Sequence, residues 1–178
     1  MFGKSSKAAR ELSQLFQDRS VEKEYSLIVR GHLKEAVEWD DPLIERLDRI
    51  SDKKAQTSKP AQPATTNFRP LRLWEIPFAN NRYPTSRYAL VQAKPLTGRK
   101  HQIRRHCNHM SHPIIGDTTH GDTRHNHFFQ EEFGIGRLLL AATEIRFQHP
   151  FTNAQIAVQA SPGVEFDRAI QLLEELNM

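Results

Sequence analysis

Thr97-Gly98-Arg99-Lys100-His101-Gln102-Ile103-Arg104-Arg105-His106 comes directly after an apolar-alternating run, 86–94, that ends at Lys94-Pro95. Gly98 permits a tight turn and a close approach of backbone to ligand. The following residues predict a helix over about 100–110, whose N-terminal amides favour an anion such as phosphate. Arg99 and Lys100 stand at its mouth. Arg104 falls one turn after Lys100 and can face a cleft, while Ile103 and Cys107 form a buried stripe. The plainer reading of the same letters is an ordinary basic amphipathic helix.

Working outward, residues 67–76 and 86–94 read as two antiparallel strands joined by the loop Asn80-Asn81-Arg82-Tyr83-Pro84. Upstream, residues 4–17 place Ala8, Ala9, Leu12, Leu15 and Phe16 on one helical face, with Ser5 or Ser6 as N-cap. Residues 23–30 read as a strand in which Tyr25, Leu27 and Val29 share a side, and Gly31 stops it. A short helical turn is expected over 42–49, and residues 51–66, poor in large apolar side chains, read as a flexible loop within the domain. Downstream, Pro113 to Gly116 is extended, a short segment lies near Gln130 to Phe133, and 137–148 and 154–160 make a second strand pair. An amphipathic helix over 163–176 closes the chain, with Val164, Phe166, Ile170, Leu173 and Leu176 apolar. The class is α+β, a largely antiparallel mixed sheet flanked by helices, with residues 1–178 in one domain.

The net charge of +4 is modest, but its distribution is uneven. No acidic residue occurs between Glu75 and Asp117. Arg82, Arg87, Lys94, Arg99, Lys100, Arg104 and Arg105 lie there, with His101, His106, His109 and His112. That is the footprint expected for a polyanion such as RNA or DNA. The single cysteine, Cys107, and the lack of an apolar leader or long apolar window point to the cytoplasm and away from a membrane.

His106, His109 and His112 recur every three residues, and three imidazoles can bind zinc. Against zinc, His112 precedes Pro113 and so falls beyond the helix, and no nearby Glu serves as partner or base. Imidazoles also suit RNA, by stacking on bases or bonding phosphate. Cys107 lies on the buried stripe and reads as packing, not as a nucleophile. Tyr25 is a packing residue unless its face borders a base pocket, where it would stack on a flipped nucleotide.

Taken together, Thr97 to His106 with His112-Pro-Ile-Ile-Gly-Asp117, Lys23-Glu-Tyr-Ser-Leu-Ile-Val-Arg-Gly31 and Arg137-Leu-Leu-Leu-Ala-Ala142 resemble three signatures of the RluA-type pseudouridine synthases. Arg82 to Tyr88, Asp41 to Asp48 and Gly116 to Asp122 look most like the TruC branch, which isomerises uridine 65 of tRNA. The resemblance implies the pseudouridine synthase catalytic-domain fold without its N-terminal part, tRNA as partner, no metal or other cofactor, and a monomer in the full-length form. It implies that Arg104 pairs with a nucleophilic aspartate, that Tyr25 stacks on the base and assists loss of the carbon-5 proton, and that Leu139 walls the pocket. Arg82, Arg99, Lys100, His101, Gln102, Arg105, His106 and His112 would hold RNA. Where the family usually has His-Ala, this chain has Ala141-Ala142.

The family's aspartate belongs to a His-Arg-Leu-Asp-x-x-Thr-Ser-Gly segment just before the helix that holds Lys4 to Phe16, and residues 1–178 contain no such segment. Asp48, in Arg46-Leu47-Asp48-Arg49, copies its letters but lacks the Thr-Ser-Gly and follows Tyr25. The expectation is an RNA-modifying core that is inactive alone, with a non-catalytic RNA-binding fragment as the alternative.

Overall fold

The computed structural model describes residues 3–44, 60–79 and 83–178. Helix α1 (Ser6–Gln17) starts where the Ser5 hydroxyl accepts the Ala8 amide at 3.2 Å. Strand β1 (Glu22–Arg30) follows, and Gly31, at φ +84°, ends it. The other strands are β2 (Val37–Asp40), β3 (Thr65–Ile76), β4 (Ser86–Pro95), β5 (Leu140–Gln148) and β6 (Gln155–Gln159). They form one sheet in the order β2-β3-β4-β1-β5-β6. Every ladder between these strands is antiparallel, so the parallel component implied by "mixed" is not found among the described residues.

Both faces of the sheet are covered, and alternation along β1 shows how. Leu27 and Val29 join Phe68, Ala89, Val91 and Ala93 beneath α2 (Gln102–His109), which contributes Ile103 and Cys107. Ile28 points the other way, into a core with Trp74 and Tyr88. That second core is closed by Phe129 and Phe133 of α3 (Thr123–Phe133) and by Phe166 and Leu173 of α4 (Val164–Leu176). Side chains alternate across a strand, so β1 feeds two cores at once. Leu27, Ile28 and Val29 are accordingly all buried.

Several expectations need correction. The segment near Gln130 to Phe133 is the end of an eleven-residue helix, α3, capped by the Asp122 carboxylate, which accepts the Arg124 and His125 amides. Its polar letters hide a buried stripe of His125, Phe128, Phe129 and Phe133. Strand β2 was not anticipated. The helical turn expected over 42–49 is absent at its start, where Leu43 is buried and pairs with Gln62 in an antiparallel bridge; residues 45–49, Asp48 among them, lie outside the described residues. Of the loop expected over 51–66, residues 51–59 lie outside them too. The rest is partly packed: Pro60, Ala61 and Pro63 are exposed, but Ala64 and Thr66 have no exposed surface, and β3 begins at Thr65. In α4, Val164 is solvent-exposed, and Phe166, Ala169 and Leu173 carry the packing. No helix among the described residues is long and apolar enough to cross a membrane.

Candidate active site

Strand alternation sets Lys23 and Tyr25 on the α2 side of the sheet, at the end of β1 away from Gly31. The chain leaves β4 at Pro95, turns through Thr97 and Gly98, and enters α2 after His101, whose backbone is left-handed at φ 54°. A cavity of about 270 Å³ opens there, lined among others by Lys23, Tyr25, Gly98, His101, Arg104 and Leu140. None of its lining residues is acidic. Burial pushes the Tyr25 phenol above its ordinary range and lowers the Lys23 ammonium below its own.

Gln102 bolts the Gly98 turn to the sheet. Its side-chain oxygen accepts the Thr97 hydroxyl at 2.7 Å and the Arg99 amide at 3.0 Å. Its side-chain nitrogen donates to the Thr65 carbonyl at 3.0 Å and to Thr66 Oγ1 at 2.9 Å. With all these groups spent and only 4% of its surface exposed, Gln102 is an internal tie and not an RNA contact. Two more expected RNA contacts are internal for the same reason. Arg105 is buried and donates to the Ile44 carbonyl at 2.9 Å. His106 is fully buried; Nε2 donates to the Asp41 carbonyl at 3.1 Å, and Nδ1, 3.0 Å from Thr66 Oγ1, accepts its hydroxyl. Burial lowers the His106 pKa, which favours this neutral tautomer.

The spacing of His106, His109 and His112 does not gather them. His109 pairs with the Asp41 carboxylate, and His112 Nδ1 donates to the Arg30 carbonyl at 3.0 Å. Among the described residues no three His, Cys, Asp or Glu side chains are grouped to hold a metal ion. Cys107 is buried on the stripe where its letters put it, and burial pushes its thiol far above the usual range. Arg99, Lys100 and His101 stay at the surface around the turn, Arg99 with a bond to the Pro63 carbonyl and His101 with one to His120. Arg82 lies outside the described residues.

Arg104 reaches from α2 toward the pocket, and its carboxylate partner is Asp117. Nε and Nη2 donate to Oδ2 and Oδ1, each at 2.7 Å, and Oδ1 also accepts the amides of Thr119 and His120. Burial pushes the Asp117 carboxyl up, but these bonds outweigh it and hold its pKa at about 2. The acid-free stretch between Glu75 and Asp117 is therefore neutralised in part from elsewhere in the fold. Arg87 pairs with Glu75 at 3.0 Å, Lys94 with Glu24 at 3.1 Å and Arg104 with Asp117. Folding brings together charges that the sequence keeps apart.

The family model of the RNA pseudouridylate synthases matches residues 1–109. The chain belongs to the RNA pseudouridylate synthase family. Relatives within the family include a protein named tRNA pseudouridine synthase C from Vibrio vulnificus, 46% identical over 175 residues, which cover 98% of this chain and 70% of the relative. A Vibrio cholerae protein of the same name is 48% identical over 160 residues, 90% of this chain and 66% of the relative. The chain thus spans about two thirds of the length of these curated relatives. The solved structure of human RNA pseudouridylate synthase domain containing 1 shares the fold, with a TM-score of 0.67 at 23% identity over 96% of this chain and 73% of that one. Human RNA pseudouridylate synthase domain containing 4 aligns with a TM-score of 0.68 at 22% identity over 96% and 69%.

Leu139 was expected to wall the pocket, yet it is completely buried on the opposite face, in the core with Ile28 and Phe166. Its amide donates to Ile115 and its carbonyl accepts from Ile28, which fixes it there. Leu140, paired with Leu27 across β1 and β5, is the one that lines the cavity. In a run of three leucines the letters carry no phase, and only the ladder supplies it. Lys23 also lines the cavity, and Asp117 holds Arg104 beside it. Asp117 stood in the quoted signature, so its pairing with Arg104 was open to inference; the burial of Lys23 was not.

Proposed function

We propose that this chain forms the uridine pocket of an enzyme that isomerises uridine to pseudouridine in tRNA. The observation that carries the reading is the cavity where Tyr25 and Arg104 meet beneath a basic rim of Arg99, Lys100 and His101. Its shape and charge suit a flipped nucleobase, which needs an aromatic stacking partner and a neutral or anion-tolerant wall. The relatives' name supplies the RNA class, and resemblance to the TruC branch supplies uridine 65. The reading also places the protein in the cytoplasm as a monomer in its full-length form, working without metal or cofactor.

In this reading the bond between the ribose C1′ and uracil N1 breaks, the base turns, and a bond forms from C1′ to C5. The proton leaves C5 and one is gained at N1, so the change is balanced without any redox partner. Tyr25 stacks on the base. Its raised pKa keeps the hydroxyl neutral, so it serves the departing C5 proton as a hydrogen-bonding relay and not as a phenolate. Leu140 takes the wall role. The nucleophile is an aspartate outside residues 1–178, which accords with a pocket that holds no carboxylate among its lining residues. Within that arrangement Arg104, already fixed by Asp117, orients the incoming carboxylate through its remaining edge.

A non-catalytic RNA-binding role is the second reading, favoured by the same absence of acid in the pocket. Release of tritium from tRNA carrying [5-³H]uridine separates them. The chain extended at its N-terminus by the family's His-Arg-Leu-Asp segment is expected to release label at position 65, and residues 1–178 alone to bind tRNA without release. Silence from the extended protein overturns the catalytic reading. Release by residues 1–178 alone overturns the external nucleophile.

A further inference from the structure

Lys23 stands out among the cations of this face because its charge is not matched. Arg87, Lys94 and Arg104 all have carboxylate partners, whereas Lys23 makes no hydrogen bond or ion pair among the described residues. Glu22, Glu24 and Glu144 line a small cavity with it, but Glu24 is engaged with Gln92 and Lys94 and Glu144 with Arg146. Burial lowers the Lys23 ammonium below its ordinary range. A half-buried charge without a partner costs stability, and a site that keeps one is poised for an anionic ligand.

The location says which ligand. Beside the Tyr25 pocket lies a second cavity of about 370 Å³, bounded by Phe16, Arg19, Glu22, Lys94 and Leu96. The two cavities share Lys23, Pro95, Thr97, Gly98 and Arg99, so Lys23 sits on the divide between them. Gly98 leaves the ammonium uncovered: a Cβ there would lie 4.0 Å from Nζ, and any longer side chain would reach over it. Lys23 and Tyr25 are two residues apart on one strand face, a step of about 7 Å. That step is commensurate with the span from a stacked base to the phosphate of its own nucleotide.

We propose that Lys23 and the second cavity form a phosphate subsite that receives the backbone of the nucleotide whose base occupies the Tyr25 pocket. Lys23 acts as a point charge on one phosphate, with Arg99 across the trough as the second donor. The assignment rests on the uridine-pocket reading above and adds to it the register of the RNA strand: backbone along the Gly98 turn, base toward Arg104.

The test is a charge-neutralisation cycle by fluorescence anisotropy, using a short RNA with one uridine, and the same RNA with uncharged methylphosphonates flanking that uridine. The unmodified chain is expected to lose about tenfold in affinity when the flanking charges are removed. Lys23→Met is expected to lose most of that discrimination, with Arg99 retaining the remainder, and to reduce the salt slope by about one phosphate contact. Because the substitution removes a desolvated charge, it should melt no lower than the parent, which keeps folding out of the comparison. If Lys23→Met still discriminates tenfold between the two RNAs, the subsite assignment is overturned while the uridine pocket stands. If the unmodified chain shows no preference for the uridine RNA over its cytidine counterpart, the pocket reading itself falls, and the subsite with it.

Discussion

Arg104 holds both oxygens of Asp117 in a fork, with two bonds of 2.7 Å, and the carboxylate has no exposed side-chain surface. The pair joins α2 to the loop after Gly116, so the residue aimed at the pocket is positioned by a loop thirteen residues downstream. Removing one partner of such a pair leaves the other charge desolvated. Asp117→Ala is therefore expected to cost about 3–5 kcal/mol in urea unfolding, more than Arg104→Met, which leaves two backbone amides still bonded to the carboxylate.

The same pair gives a pH signature. The Asp117 pKa is about 2 in the folded protein against an ordinary carboxyl value of 3.8. Its contribution, on the order of 2 kcal/mol, is fully present above pH 4 and fades as pH falls through 4 toward 2, because the unfolded state binds the proton first. Unfolding free energies measured from pH 5 to 2 should fall more steeply for the parent than for Asp117→Asn.

The leucine phase separates packing from pocket. Leu139→Ala should cost about 2–5 kcal/mol, as for a buried core leucine, with uridine-RNA affinity of the folded fraction unchanged. Leu140→Ala should be milder in stability and should weaken binding of the uridine RNA. Equal effects of the two on binding would contradict the assignment of opposite faces.

Gln102 and Lys100 sit two residues apart and should respond in opposite ways. Gln102→Ala leaves buried donors and acceptors unmatched and should destabilise by about 2–4 kcal/mol. Its effect on tRNA binding should vanish once the fraction folded is taken into account. Lys100→Ala, at an exposed position, should leave the melt nearly unchanged and reduce the salt dependence of tRNA binding by about one contact.

Gly116→Ala should be among the most damaging single-atom additions. The backbone there is left-handed, φ +78°, and an added Cβ would fall 1.9 Å from the Arg137 carbonyl oxygen. The expected cost exceeds about 3 kcal/mol, read as loss of a cooperative melt, since both this backbone and the facing segment before β5 would have to move.

Much of the fold was legible because strand alternation and helix caps leave local traces. β1, β3, β4, α1 and α2 follow from the alternation of Leu27 and Val29, the Ser5 cap and the Ile103–Cys107 stripe. What failed was what only long-range pairing decides. Strand β2 has four residues and gains its place from register with Phe68 and Thr66. The phase of Leu138-Leu139-Leu140 is silent in the letters. At the cavity, the signatures single out Tyr25 and Arg104, which both line it, whereas Gln102, Arg105 and His106 read as RNA contacts in the letters and are buried in the fold. Basic and polar residues on a short helix look alike until burial sorts them, and here the inward side is polar because it binds backbone carbonyls and Thr66.

Strand β1 has one further consequence, for motion. Its middle residues are enclosed on both faces and hydrogen-bonded on both edges, by β4 and β5. Segments so enclosed exchange their amide protons only through near-global opening. Lys23 and Tyr25 ride on the end of that slow segment, so the floor of the pocket does not adapt to its guest. The Gly98 turn on the facing side is itself tied to the sheet through Gln102, so amide exchange should be slow at Arg99 as well as in β1, a cavity stiff on both sides.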